Sequence, residues 1–270
     1  MRTDKIKRLY LGLMLFFLYA PIAVLIVYSF NESKSRANWS GFTLKWYAEL
    51  FRDPSITNAL VTTATVAIFS AAAATVIGTA AAVGINSIKG IKKKILLNLT
   101  NIPVVSPDIV IGISLMVLFV YCFNLFRAGS MGYHTLLLAH IIFNTPFVIL
   151  SVLPKLRQFD GNIYEAALDL GASPLTAFFK VMLPHIMPGV ITGAMLSFTL
   201  SIDDFVVSFF TAGAGTTNLS IYIFTMARRG INPKINALST LIFIVVLLLL
   251  YLISKRESIN SKRRERNETH

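Results

Sequence analysis

Charge is what this chain has least of. Only 14% of its 270 residues are Asp, Glu, Lys or Arg, where soluble domains carry roughly 25%. So few charges cannot cover the surface of a soluble domain of this length, and a lipid-facing surface is implied. Cysteine is almost absent. Cys122 is the single one and lies in an apolar run, which excludes an intramolecular disulfide and a metal-cysteine cluster and leaves it as a small apolar filler. No Gly-Lys dipeptide occurs anywhere, so the GxxxxGK[ST] phosphate cradle is missing and this chain cannot hydrolyse ATP by that route. Gly213-Ala214-Gly215-Thr216 is glycine-rich without a following lysine and reads as a turn.

Hydrophobic residues are abundant: they make up 55% of the chain, and the mean hydropathy is +0.67. A hydrocarbon core of ~30 Å needs ~20 apolar residues as helix. That length divides the chain into six predicted spans, at Leu9 to Phe30, Ala59 to Ile85, Ile102 to Phe123, Thr135 to Leu153, Gly189 to Phe210 and Ile235 to Ser254. The fourth is interrupted by His140, Asn144 and Pro146, which a span tolerates when neighbouring helices satisfy the freed backbone groups. The fold class is therefore all-α integral membrane, with six transmembrane helices and both termini on one side. Residues 1–55 hold the N-terminal tail, first span and external loop, residues 56–254 the main transmembrane domain, and residues 255–270 a basic tail.

Basic residues set the orientation. The two tails and the loops 86–101 and 154–188 carry seventeen of the 25 Lys and Arg, which places both termini and these loops in the cytoplasm. The apolar start continues past Ala20 through Pro21 to Phe30 without a small-residue cleavage site, so it reads as an uncleaved span rather than a signal peptide. The net charge of +12 suits contact with anionic lipids of the inner leaflet; no nucleic-acid partner is inferred from the Lys262 to Arg266 tail.

The loop from Pro154 to Pro188 has its own pattern. Asn162 and Glu165 form a plausible capping pair, and Ile163, Ala166, Ala167 and Leu170 fall on one face of a short helix. Gly171 can take the left-handed conformation that ends it. Ser173 as cap with Pro174 at the first position starts a second helix, expected to stop near Pro184. Such a helix-turn-helix would lie against the membrane.

The segment Leu196 to Ser208, LSFTLSIDDFVVS, places two aspartates in an apolar span. An ionisable group at membrane depth costs at least ~2.5 kcal/mol and faces a protein interior or a watery path. Gly189, Gly193, Ser197 and Ser201 form a small-residue stripe reaching Asp204 and Ser208, so Asp204 is expected to meet a partner helix. Thr192, Thr199 and Asp203 form a polar line on another face, with Asp203 as the pathway-lining acid. The alternative puts both acids at the end of the span, bonded to backbone or to Arg228 and Arg229. Asp108, after Pro107, is expected to cap the third span.

Glu165-Ala166-Ala167, with Gly171 six residues after the glutamate and Leu183-Pro184 beyond, resembles the EAA loop of the membrane subunits of binding-protein-dependent ABC importers. Asn38-Trp39, Gly41-Phe42-Thr43, Lys45-Trp46-Tyr47, SPDIV at Ser106 to Val110, LSFTLSIDDFVVS and Asn236-Ala237-Leu238 resemble the PotC-type permease subunits of spermidine/putrescine importers, along nearly the whole chain. The resemblance implies a type I ABC importer permease fold in a bacterial inner membrane. It also implies a second permease subunit, an ATPase dimer that binds ATP and Mg, and an external polyamine-binding protein. Glu165, Ala166, Ala167, Gly171, Leu183 and Pro184 would form the ATPase-coupling loop. No residue here would be catalytic, and no cofactor or metal belongs to this chain.

Carboxylates and aromatic faces, which Asp203, Asp204, Phe205, Phe209 and Phe210 supply, are what a polyamine needs. Arg228, Arg229 and Lys234 would repel it if they lined the entrance, and are expected to contact acidic surfaces of a binding protein instead. Another organic amine or ferric ion is the alternative cargo, and an ion-coupled carrier using Asp203 or Asp204 is an alternative mechanism. An intramembrane hydrolase is disfavoured, because adjacent acids on one helix diverge by ~100°. His134 and His140 also lack the i, i+4 spacing of a helical metal site.

Overall fold

In a computed structural model, residues 2–33, 38–127, 129–228, 233–244 and 247 are described. Among them no β-strand occurs, and one isolated antiparallel bridge pairs Asn31 with Phe42. The helices are α1 (Arg2–Ser29), α2 (Lys45–Arg52), α3 (Pro54–Ser87), α4 (Gly90–Val105), α5 (Asp108–Phe126), α6 (Tyr133–Gln158), α7 (Gly161–Asp169), α8 (Pro174–Ala177), α9 (Leu183–Asp203), α10 (Val206–Thr211) and α11 (Leu219–Arg228), followed by α12 (Pro233–Ile244). Five stretches are long and apolar enough to cross a membrane: Lys7–Ser29, Pro54–Ser87, Asp108–Phe126, Tyr133–Gln158 and Pro174–Asp203. The sixth expected span begins within α12. Most of its remainder, with the basic tail and Arg229, lies outside the described residues.

The chain divides into two compact units, one of residues 1–57 with 223–270 and the other of residues 58–222. In the first, the Trp46 indole donates to Asn31 O over 2.7 Å, and Ser29 Oγ lies 2.7 Å from Tyr47 Oη. These bonds fold the segment after α1 back over α2, where Trp46 and Leu50 are buried. The Lys45-Trp46-Tyr47 motif that carries part of the family resemblance thus has a structural use. Lys234, expected on the outer face, is held by Glu49 at 3.3 Å and Asp53 at 3.7 Å, and Arg228 stands over the Phe224 ring.

The second unit is organised around α6. His140 and Asn144, which look like interruptions in the sequence, are fully buried in a continuous helix. Small residues let α3 and α9 approach it. A Cβ on Gly78 would stand 2.6 Å from Val148 Cβ, one on Gly189 2.8 Å from Ser151 O, and one on Gly193 3.1 Å from Val148 Cα. Backbones can pack this closely only where side chains are absent. The expected stripe of Gly189, Gly193, Ser197 and Ser201 is buried, and α6 of the same chain is what covers it. Ala74, Ala82, Ile85, Val148, Val152, Leu156 and Ile186 fill the apolar core around this junction.

Three expected boundaries are corrected. The third span does not run unbroken from Ile102: α4 ends at Val105 and α5 starts at Asp108. Pro107 disfavours the helical conformation of the residue before it, and Ser106 is extended (φ −79°, ψ 142°). The helix begun at Pro174 does not stop near Pro184. It passes through a π-helical turn, Phe178–Met182, into α9, a 30-residue path from Pro174 to Asp203, so only α7 lies apart from the span. In an α-helix the Pro184 ring would strike the carbonyl of residue 180; the wider π turn, in which Leu183 N–H reaches Phe178 O, relieves that clash. Finally, the fifth span ends at Asp203 rather than Phe210. Asp204 is extended (φ −62°, ψ 125°), and its carboxylate caps the next helix.

Candidate functional site

The first cluster of predicted residues lies on α7. Its cap is Asp160, whose side chain accepts from Asn162 N over 3.0 Å, so the expected Asn162–Glu165 capping pair is displaced by a cap two residues earlier. The C-terminal end follows the glycine logic. Gly171 has φ +88°, its N–H reaches Leu168 O (2.9 Å), and Ala172 N–H reaches Ala167 O (3.0 Å). This double closure is a Schellman motif, which satisfies the last carbonyls of the helix. Ser173 then caps α8 through Thr176 N, and Tyr164 Oη bonds Pro174 O, tying the two helices together. Glu165 and Ala166 are exposed, Ala167 is half-buried, and Leu170 is 90% exposed. With Ile163 and Leu175 also exposed, the large apolar side chains of this loop stand open among the described residues. Leu183 and Pro184 stand apart from it, at the start of α9, where Leu183 packs on the core.

The second cluster is a pocket of about 300 Å³ lined by Asp108, Phe143, Leu200, Asp203, Asp204, Phe205 and Val206. It brings together four of the five residues expected on a pathway or interface. Three of its lining residues are aspartates and none is Lys or Arg, so it favours a cation. Thr199 is the exception. It lines a separate hollow of about 340 Å³ with Ile68, Ala71 and Phe198, and its hydroxyl is bonded to Met195 O. Asp108 is the first residue of α5 with no side-chain cap bond at Pro107, so its expected capping role is not met and its carboxyl is left for the pocket. Of the three phenylalanines expected around the acids, only Phe205 lines this pocket.

Asp203 is exposed at the end of α9, whereas the Asp204 side chain is 6% exposed. The Asp204 oxygens accept from Val207 N (3.2 Å) and Ser208 N (2.7 Å), which restarts the chain as α10. The reading that places these acids at a span end and bonds them to backbone thus holds for Asp204. The helix it meets is α6, through His140 Nε2 at 3.5 Å. His140 Nε2 is also 2.9 Å from Ser208 Oγ, and Asn218 Nδ2 donates to that oxygen over 2.8 Å.

Residues 74–256 match the family described as "Binding-protein-dependent transport system inner membrane component". The chain belongs to this family. As such it is a multi-pass inner-membrane component of a transport system, not itself the whole machine. It is 41% identical over 247 residues to the putrescine transport system permease protein PotI of Escherichia coli K12, covering 89% of this chain and 88% of that one. It is 42% identical over 234 residues to the spermidine/putrescine transport system permease protein PotC of the same strain, covering 87% of each. A crystal structure of a bacterial ABC transporter involved in import of the acidic polysaccharide alginate has a chain of the same fold, with TM-score 0.69 and 18% identity over 96% of this chain and 98% of that one. The all-helical type I permease architecture is therefore shared.

Sequence reasoning missed part of this inner-membrane component's site. Phe143 lines the pocket, yet nothing distinguishes it from other apolar residues of α6. Ser208 and Asn218 complete the buried polar cluster; Ser208 was visible only as the end of the small-residue stripe. His140 carried a signal, a polar residue inside a span, which reads equally well as an interruption.

Proposed function

We propose that this chain is the permease subunit of an ATP-driven importer of polyamines, spermidine or putrescine. The observation that carries the reading is its 41–42% identity, over nearly nine tenths of its length, to permeases of putrescine and of spermidine/putrescine systems. The pocket is compatible in chemistry. Asp108, Asp203 and Asp204 would replace part of the hydration of a flexible organic dication or trication, and the Phe143 and Phe205 rings would cover its methylenes and ammonium groups. An external polyamine-binding protein would deliver the cargo, and a second permease subunit would complete the path.

The open apolar face of α7 supports docking on a partner ATPase dimer, which would bind ATP and Mg. Closure of that dimer would pull on Glu165 to Gly171, and the covalent path from α8 through the π turn to α9 would carry the displacement to the acids at the α9 end. In this reading six spans place both termini and α7 in the cytoplasm. The test is uptake of labelled spermidine by cells lacking their own polyamine importers, supplied with this chain and its genomic partners, beside an ATPase-dead control. ATP-dependent uptake blocked by excess putrescine supports the assignment. Failure of an assembled complex rejects polyamine and leaves another organic amine or ferric ion as cargo; uptake surviving the dead ATPase favours an ion-coupled carrier.

A further inference from the structure

We propose that His140 is the positioning residue of the pocket carboxylate Asp204, holding it where a cationic cargo meets it; the inference rests on the pocket being part of the cargo path. Asp204 stands at a break in the chain, between α9 and the six-residue α10. Its two backbone contacts, to Val207 N and Ser208 N, fix the carboxylate on α10 but do not fix α10 against the opposite pocket wall. That wall is Phe143 of α6, and His140 lies one helical turn before it. Through Nε2 the imidazole touches both Asp204 Oδ2 at 3.5 Å and Ser208 Oγ at 2.9 Å, so it ties α10 to α6 at the acid itself. Asn218 closes the link from the far side, to Ser208 Oγ at 2.8 Å and to Asp204 O at 3.3 Å.

The chemistry of the ring supports a directed role. We assign the ring hydrogen to Nε2, because a bare lone pair there would face the Asp204 carboxylate. Nδ1 is then left buried, with no hydrogen-bond partner among the described residues. Such an atom destabilises the fold, and a leucine of similar volume would avoid that cost. The imidazole gives no packing advantage over an aliphatic side chain, and its useful atom is Nε2. The charged groups around it are Asp204 beside it and Asp108 and Asp203 across the pocket; no Lys or Arg lines that pocket.

The test compares His140→Gln, whose amide reaches the position of Nε2, with His140→Asn, whose amide stops at that of Nδ1. Both carry the same amide and differ by one methylene, and both are measured in the complete complex in proteoliposomes with labelled putrescine. Loss of one contact to a charged group predicts that His140→Asn raises the half-saturating concentration about tenfold or more, with the maximal rate per assembled complex kept. His140→Gln stays within about twofold of the parent. Equal half-saturation in both variants, or losses that follow only the amount of assembled complex, overturns the proposal. Asp203→Asn separates the two levels. If it leaves half-saturation unchanged, the pocket is not on the path; if it raises half-saturation while His140→Asn does not, the role of His140 alone fails.

Discussion

The amide of Asn144 donates to Ser201 Oγ over 2.7 Å, and the same hydroxyl lies 2.9 Å from Ser70 Oγ, so one buried oxygen joins α3, α6 and α9. In a membrane such bonds contribute about 0.6 kcal/mol on average, up to ~1.7. Ser201→Ala should therefore lower the stability of the detergent-solubilised chain by roughly that amount. Asn144→Leu should be milder, because the Asn144 Oδ1 has no hydrogen-bond partner among the described residues and its removal offsets the lost bond. Thermal unfolding of the two variants side by side checks the order.

Gly193 faces Val148 with no room for a side chain. Gly193→Leu should separate α9 from α6 and destabilise the chain by about 1–3 kcal/mol or more. Gly84, beside which a Cβ meets nothing within 4 Å, should accept alanine without loss. Comparing yields of folded monomer by size-exclusion chromatography distinguishes the two.

Leu170 is 90% exposed, so Leu170→Asp should leave insertion and melting temperature unchanged while abolishing transport and co-purification of the proposed ATPase partner. Retention of full transport at matched membrane levels would place the docking surface elsewhere.

Much of this was legible in the chain. Gly171, Ser173 and Pro174 act through local backbone chemistry, and they do in three dimensions what their order implies. The stripe from Gly189 to Ser201 reports a close helix contact because only small residues permit one. What was not legible depends on a choice between competing local arrangements or on contacts between distant segments. Asn162 looks like a cap until Asp160 takes the role from two residues earlier, and Pro184 looks like a stop until a π turn absorbs it. The pocket forms because α5 begins beside the point where α9 ends, a juxtaposition that neither Asp108 nor Asp203 reveals in sequence.

The π turn leads to its own prediction. A single π turn in an α-helix amounts to one extra residue, so deletion of the exposed Lys180 combined with Pro184→Ala, which removes the ring that α geometry would not accommodate, should restore α geometry while keeping α8 and α9 in register. The chain should insert and fold, as circular dichroism and monomer yield would report, but ATP hydrolysis should no longer drive uptake. Transport at the parental rate after this deletion would show that the π turn merely accommodates Pro184.

Asp203 and Asp204 should part in stability and agree in transport. Both Asp→Asn changes remove a pocket charge and should weaken cargo uptake. Only Asp204→Asn weakens charge-assisted caps on α10, and should cost about 1–3 kcal/mol. Melting temperatures measured alongside uptake decide this.

The most direct measurement is ATP-driven accumulation of labelled putrescine in proteoliposomes holding the full complex, with the parent chain or with Asp108→Asn and Asp203→Asn combined. Accumulation by the parent that requires ATP, and falls at least about tenfold when these two exposed carboxylates are neutralised, is the predicted result. Undiminished accumulation in the double variant, at equal complex and equal ATP turnover, would contradict the acidic pocket as the polyamine path.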